Sequence, residues 1–436
     1  LLAGDFDNDN HDHDKKDLFV RIENCVFTNC SSKEKGGSLK CGLQLDSNKH
    51  FDNDVILSFC QFKNCQSNEG EGGALYFMDG DKAGDEETVI ENCTFDGCSA
   101  KNKGSTLYCC SYKFKMSDST FKNMNSGPKK ALMYINLNEN DGLQPEVTNC
   151  TFYNNGERIE FASGDGKTVS GSSITFSKCH IHDNFKGKFE SYSLFVLGFL
   201  KSETINIIDC TFEQNGCICI YHDSTQDSYN CNIVRCTFNN NEGKSGCCIT
   251  SDKKDSSYEI NIEDCKFKYN TANTKDRNGP AYGCVYANIM SVKFQGVNEF
   301  IGNRNIITAQ NPFIESLGGS LTLIQGSSNR EEAIISNLVC QDGYSEGYGG
   351  GIGFLGKDYM GGNSESNSKF IQFDNCTFIN CSSAKQGGAI KFGSSDSFIK
   401  YTDDAKLINC QFTQCESPEG GALYFMDGDK AGDEET

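Results

Sequence analysis

Cysteine has the most chemistry to offer in this sequence, with 25 thiols among 436 residues. Thiols at that density can form disulfides, hold a soft metal or supply a nucleophile. Structural zinc needs local Cys-x2-Cys pairs, and the chain contains none. Ten cysteines share one recurring position: Cys25, Cys60, Cys93, Cys150, Cys179, Cys210, Cys236, Cys265, Cys376 and Cys410. Five more follow five residues later, at Cys30, Cys65, Cys98, Cys381 and Cys415. The first position stays Cys where the second is Asn, which disfavours an obligatory bridge between the two. Two readings stay open: buried, stacked thiols acting as small hydrophobes, or several disulfides between neighbouring repeats. The count is odd, so at least one thiol is unpaired or bonded elsewhere. So many cysteines favour an oxidising compartment, outside the cell or on its surface.

Other candidates are local. Asp5, Asp7 and Asp9 alternate as oxygen donors do in calcium loops, and Ca2+ is the one cofactor this suggests; Asn10 and the stretched spacing to Asp17 fit a solvated acidic loop instead. Asp79, Asp81 and Asp85 repeat the pattern more weakly. His180 and His182 lie on one strand face, a two-ligand set with no third ligand nearby in sequence. Gly164 to Thr168 resembles a phosphate loop, but Phe161 stands where its first Gly is required. Sequons begin at Asn29, Asn92, Asn149, Asn375 and Asn380. Asn92, Asn149 and Asn375 fall at a bend, whereas Asn29 and Asn380 read as loop positions and are the glycosylation candidates. Glycoside hydrolysis needs paired carboxylates, and no repeat unit carries an acid pair that sets it apart. Catalytic residues are therefore expected to be absent, and the chain is expected not to be an enzyme.

The elements behind these residues are repeats. Glu91-Asn92-Cys93-Thr94-Phe95-Asp96-Gly97-Cys98 is the clearest copy. Others carry Cys25 with Phe27, Cys60 with Phe62, Cys150 with Phe152, Cys210 with Phe212 and Cys236 with Phe238. Cys265 with Phe267, Cys376 with Phe378 and Cys410 with Phe412 continue the series. Weaker units sit at Ser119, Cys179 and Asn298 and near Asn337, and the register between residues 298 and 376 is loose. Cys and Phe at i and i+2 share one face of a strand. Strands this short bury nothing alone, but parallel stacking every ~4.8 Å makes continuous columns. The Asn or Asp before each Cys suits an αL bend, with stacked Asn side chains forming a ladder. Glycine pairs such as Gly72-Gly73 suit a turn with positive φ or close coil packing. The fold expected is all-β, a right-handed parallel β-helix of roughly 12–13 rungs. It spans residues 21–436, with residues 1–20 an acidic cap or the end of a preceding segment. More of the same repeat is expected beyond both ends.

Phe-x-x-Asn (Phe152 to Asn155, Phe212 to Asn215, Phe238 to Asn241, Phe267 to Asn270) alternating with Gly-Gly-Ala-Leu/Ile resembles the polymorphic membrane protein family. Similar repeats occur in surface proteins of protists. The resemblance implies a surface adhesin, whose partner would be a host or neighbouring cell surface or glycan. Glu71 to Thr88 recurs unchanged as Glu419 to Thr436. A recent duplication follows, and with it the alternative of a filament or coat subunit that self-associates end to end or laterally. A polysaccharide lyase or hydrolase is the remaining alternative. The net charge of −20 disfavours a nucleic-acid partner, because phosphate binding needs clustered Lys and Arg. No apolar run approaches the ~20 residues of a membrane span.

Overall fold

The computed structural model describes residues 19–41, 54–78, 87–110, 113–127, 130–136, 144–162, 173–185, 193–198, 204–223, 230–243, 246–251, 259–274, 281–288, 291–307, 316–324, 332–355, 370–392 and 404–425. Among them thirteen successive turns each give one strand to three long faces of parallel sheet. The chain forms two compact units: residues 1–186 with 194–210, and residues 187–193 with 211–436.

One turn of the first unit shows why the sequence folds this way. Glu87–Glu91 alternates so that Thr88 and Ile90 are buried. Asn92 then turns the chain with φ 52°. Thr94–Asp96 points Phe95 inward, and Gly97 turns the chain again with φ 64°. After a third positive-φ residue, Gly104, the strand Leu107–Cys110 buries Leu107 and Cys109. The αL corners let a strand of three to five residues end abruptly, and Asn and Gly populate that geometry at least strain.

Parallel register converts the repeat into columns. Phe62 pairs with Phe95, Phe95 with Phe121 and Phe121 with Phe152. The rings from Phe27 to Phe152 stack face to face at 4.6–4.9 Å, the same spacing as the strands. The column stops where Ile181 pairs with Phe152. In the second unit Phe212, Phe238, Phe267 and Phe300 stack at 4.5–4.8 Å. Cys340 interrupts that column between Phe300 and Phe378, and Phe378 stacks on Phe412 at 5.1 Å. Each fully buried Phe contributes roughly 1.5–3 kcal/mol by removal from water, and the stacked geometry adds to this.

The loose stretch is settled by pairing. Asn298–Ile301 lies beside Leu338–Gln341, which lies beside Thr377–Ile379. Leu338 stands where Cys is usual and Cys340 where Phe is usual, so neither motif letter marks that turn. The glycine pairs divide their work. Gly36, Gly72, Gly387 and Gly420 take φ of 62–65°. The second glycine leaves room for the next turn: a Cβ on Gly73 would fall on the carbonyl oxygen of Ser105.

Candidate recognition surface and its thiol-capped frame

The cysteines are not inert fillers of the core. Cys60 Sγ donates to the carbonyls of Ser58 (3.2 Å) and Ile22 (3.4 Å), its own strand and the preceding turn. Cys265 does the same toward Glu263 and Ile233 at 3.3 Å, and Cys376 toward Asp374 and Ile335 at 3.5 Å. Ser119 and Asn298 occupy this column in two turns. Ser119 Oγ donates to Ser117 O at 2.8 Å, and Asn298 Nδ2 donates to Ile262 O at 3.2 Å. The reading as buried, stacked thiols holds for the column inside the chain and gains a second role: these thiols also cap corners, which is why Ser and Asn replace them. The described cysteines stand as thiols. Burial pushes Cys93 and Cys376 up to about 12 and Cys41 up to about 11.

The second corner holds what the sequence reading missed. Asn155, Asn184, Asn241, Asn270 and Asn303 are buried. Asn270 Nδ2 donates to Phe238 O at 2.9 Å, while its Oδ1 accepts from Asn241 N at 2.9 Å. All but Asn184, which follows Ile181, are the Asn of Phe-x-x-Asn, so the buried ladder lies there. The bend Asn before the first-column Cys also bond from turn to turn, as in Asn375 Nδ2 to Asn337 Oδ1 at 2.8 Å and Asn149 Nδ2 to Asp118 Oδ1 at 2.5 Å, but Asn149 and Asn375 are exposed. The clue was positional, since the ladder Asn takes the same +5 place as Cys30.

Asn29 and Asn380 also require correction. Their φ values are 55° and 50°, beside 52° at Asn92, Asn149 and Asn375. All five sequons thus begin at αL corners, and the first two are not loop positions. Asn380 Nδ2 donates to Asp342 Oδ1 at 2.7 Å, and Asn29 Oδ1 accepts from Asn64. Both remain exposed.

The core columns fall as expected inside the chain, where Cys60, Phe62, Cys93, Phe95, Cys150, Phe152, Cys210, Phe212, Cys236, Phe238, Cys265, Phe267, Cys376 and Phe378 are buried. The outermost described turns differ: Cys25, Phe27, Cys410 and Phe412 are only half-buried.

Outward positions present polar groups in strand register. Lys115 pairs with Glu87 at 2.6 Å, Lys293 with Glu259 at 2.5 Å and Lys266 with Glu299 at 3.6 Å, each across neighbouring turns. Asn261 Nδ2 donates to Asn232 Oδ1 at 2.9 Å. His180 and His182 come together with ring centroids 4.4 Å apart. Tyr153 stacks on His182 at 5.2 Å, and His182 Nδ1 lies 2.8 Å from Asp183 Oδ2. Among the described residues no group of three His, Cys, Asp or Glu side chains is arranged to hold a metal ion. Glu157 is a buried carboxyl whose Oε1 accepts from Ser126 N at 2.5 Å, and burial raises its pKa. The groups that bear on its charge are Ser105, Ser126 and Lys130. Asp5, Asp7, Asp9, Asp79, Asp81 and Asp85 lie outside the described residues, as does Gly164 to Thr168. Among the described residues no helix is long and apolar enough to cross a membrane.

A family model described as "right handed beta helix region" matches residues 60–294, more than half of the sequence. The sequence matches no curated protein.

Proposed function

The chain belongs to the right-handed β-helix family, and from that premise we propose that it is a non-enzymatic recognition module displayed outside the cell, an adhesin of the kind its resemblance to polymorphic membrane proteins implies. One observation carries the reading. The outward positions repeat at strand spacing with polar and charged groups held across turns. An extended partner made of repeating units, such as a glycan, meets a matching period on such a face. Polar contacts of this kind gain affinity through number rather than through one deep pocket. The extracellular location rests on the resemblance to surface proteins, because the described cysteines stand as thiols. A polysaccharide lyase or hydrolase would need one turn with its own chemistry, and the repeat units of the sequence carry no acid pair that sets one apart.

The test has two arms. An antibody against the Glu71 to Thr88 peptide, present twice in the chain, should label intact, non-permeabilised cells in immunogold microscopy. Purified protein should bind glycans on an array without releasing reducing ends or unsaturated sugars. Label seen only after permeabilisation would overturn the location, and turnover of any arrayed polysaccharide would overturn the non-enzymatic assignment.

A further inference from the structure

We infer that Asn92 is the position at which this fold accepts an N-linked glycan, and that Phe59 on the preceding turn is the ring on which its first N-acetylglucosamine rests. The inference rests on the extracellular location proposed above. It goes beyond that reading because it reverses which sequons the fold favours.

Every sequon begins at an αL corner, so backbone conformation does not choose among them. The side-chain amide does. An Asn side-chain nitrogen carries two hydrogens, and glycosylation replaces one of them with a bulky pyranose. Asn149 Nδ2 donates to Asp118 Oδ1 at 2.5 Å, Asn375 Nδ2 to Asn337 Oδ1 at 2.8 Å and Asn380 Nδ2 to Asp342 Oδ1 at 2.7 Å. Each nitrogen is tied to the corner of the preceding turn, so a sugar there must break that bond or crowd that corner. Asn29 is held at its other end, where its Oδ1 accepts from Asn64 Nδ2 at 3.3 Å. Asn92 has neither tie. The corner before it in the stack is Phe59, and the corner after it is Asp118, whose carboxylate already accepts from Asn149. Among the described residues the Asn92 side chain makes no hydrogen bond. Asn92 is exposed, and Thr94, which completes its sequon, lies beside the buried Phe95 in an outward position of the strand.

A second observation points to the ligand. Phe59 is 56% exposed and takes φ 54°, a conformation that bulky residues rarely adopt. Neither burial nor backbone preference accounts for a ring at that corner. Ser58 pairs with Glu91, which sets Phe59 and Asn92 one strand spacing apart, ~4.8 Å. The C–H face of a pyranose carries partial positive charge and stacks on the negative face of an aromatic ring. A sugar on Asn92 has such a ring one turn away, where Asn149, Asn375 and Asn380 have Asp118, Asn337 and Asp342.

The donor is an oligosaccharide carried on a lipid diphosphate. Asn92 Nδ2 bonds to the anomeric carbon of N-acetylglucosamine as the bond from that carbon to the diphosphate breaks. The lipid diphosphate leaves with the electron pair, and one amide proton passes to a base of the transferase. Transfer needs a locally extended acceptor, and the fold then keeps the glycans it can house.

Glycopeptide mass spectrometry resolved by site tests this, on the 436-residue chain directed through a eukaryotic secretory pathway and on the natural protein from its own cells. In the folded, secreted fraction Asn92 should be glycosylated in most molecules, with Asn149, Asn375 and Asn380 nearly bare. Thr94→Val deletes the sequon and keeps the Asn92 corner. It should abolish the Asn92 glycan and lower the melting temperature to that of wild type stripped of glycan by an amidase. Phe59→Ala should leave Asn92 occupied and erase the melting difference between glycosylated and stripped protein. A bare Asn92 in the secreted chain overturns the inference, as does equal occupancy at all sequons. A melting difference that survives Phe59→Ala overturns the role of the ring. Asn92 occupied in the secreted chain but bare in the natural protein would count against the extracellular location and leave the site standing.

Discussion

At the corner that follows the Phe strand, Cys65, Cys98, Cys381 and Cys415 do the work that Asn155, Asn184, Asn241, Asn270 and Asn303 do elsewhere. Both groups reach the same acceptor, the carbonyl of the residue in the Phe column of the preceding turn. Cys65 Sγ lies 3.5 Å from Phe27 O, and Cys98 Sγ 3.6 Å from Phe62 O. Asn155 Nδ2 lies 3.1 Å from Phe121 O, and Asn303 Nδ2 2.8 Å from Phe267 O. Asn does one thing more: its Oδ1 accepts the backbone amide at the equivalent place one turn back, as Asn303 does for Asn270 N at 3.0 Å. A thiol is a weak donor and a weak acceptor. The two capping groups therefore share a slot and differ in strength, and the chain interchanges them because shape and donor direction decide who fits.

The largest consequence concerns removal of the cap. Asn270→Ala strands Phe238 O and Asn241 N inside the protein. Two buried groups left without partners should cost about 2–5 kcal/mol. Cys98→Ala loses one weak donor and a small volume, and should cost about 1–2 kcal/mol. Urea midpoints of the two variants measure this directly. Equal losses would mean that volume, not hydrogen bonding, is what both side chains supply.

Alkaline pH separates the two kinds of cap without a mutation. Asn does not titrate, but burial holds Cys93 and Cys376 up to about 12 and Cys41 up to about 11. In the unfolded chain a thiol titrates near ~8.5. A folded pKa raised above the unfolded value contributes stability that is complete below ~8.5 and is lost as pH rises toward the folded value. The denaturation midpoint should therefore fall between about pH 8.5 and 12. Cys93→Ser should make that fall shallower, since Ser119 shows that a hydroxyl fits the column. A midpoint flat across this range would mean that the thiols are already consumed, for instance in disulfides.

Most of the frame could be read from the sequence because its signals are local. Cys and Phe two residues apart name one strand face, and a positive-φ residue before Cys names the corner. Corners where Phe59, Lys178 and Arg235 take φ of 51–55° were not legible from residue type, because stacking on both sides overrides their preference. The turn at Leu338–Gln341 was obscured for the same reason: Leu338 and Cys340 fill the columns by volume, with neither motif letter present. The candidate surface was less accessible. Phe-x-x-Asn invited reading as a family signature, while its physical content is a cap whose partner lies ~30 residues away, one turn of the repeat. The acidic loops offered as a calcium site fall outside the described residues, so the structure adds nothing to them.

The smallest expected effect is also the most discriminating. Cys98→Asn places the stronger cap in a slot now held by a thiol. Its Nδ2 would take over Phe62 O, and its Oδ1 would face the amide of Cys65, repeating the geometry of Asn303 over Asn270. One added hydrogen bond contributes roughly 0.5–1.5 kcal/mol, so the variant should melt slightly above wild type. It should also keep more of its stability at high pH, because one buried titrating group is gone. A variant that melts well below wild type would show that the cysteine-capped turns are packed more tightly around that corner than the asparagine-capped ones. The two caps would then be alternatives in chemistry but not in space.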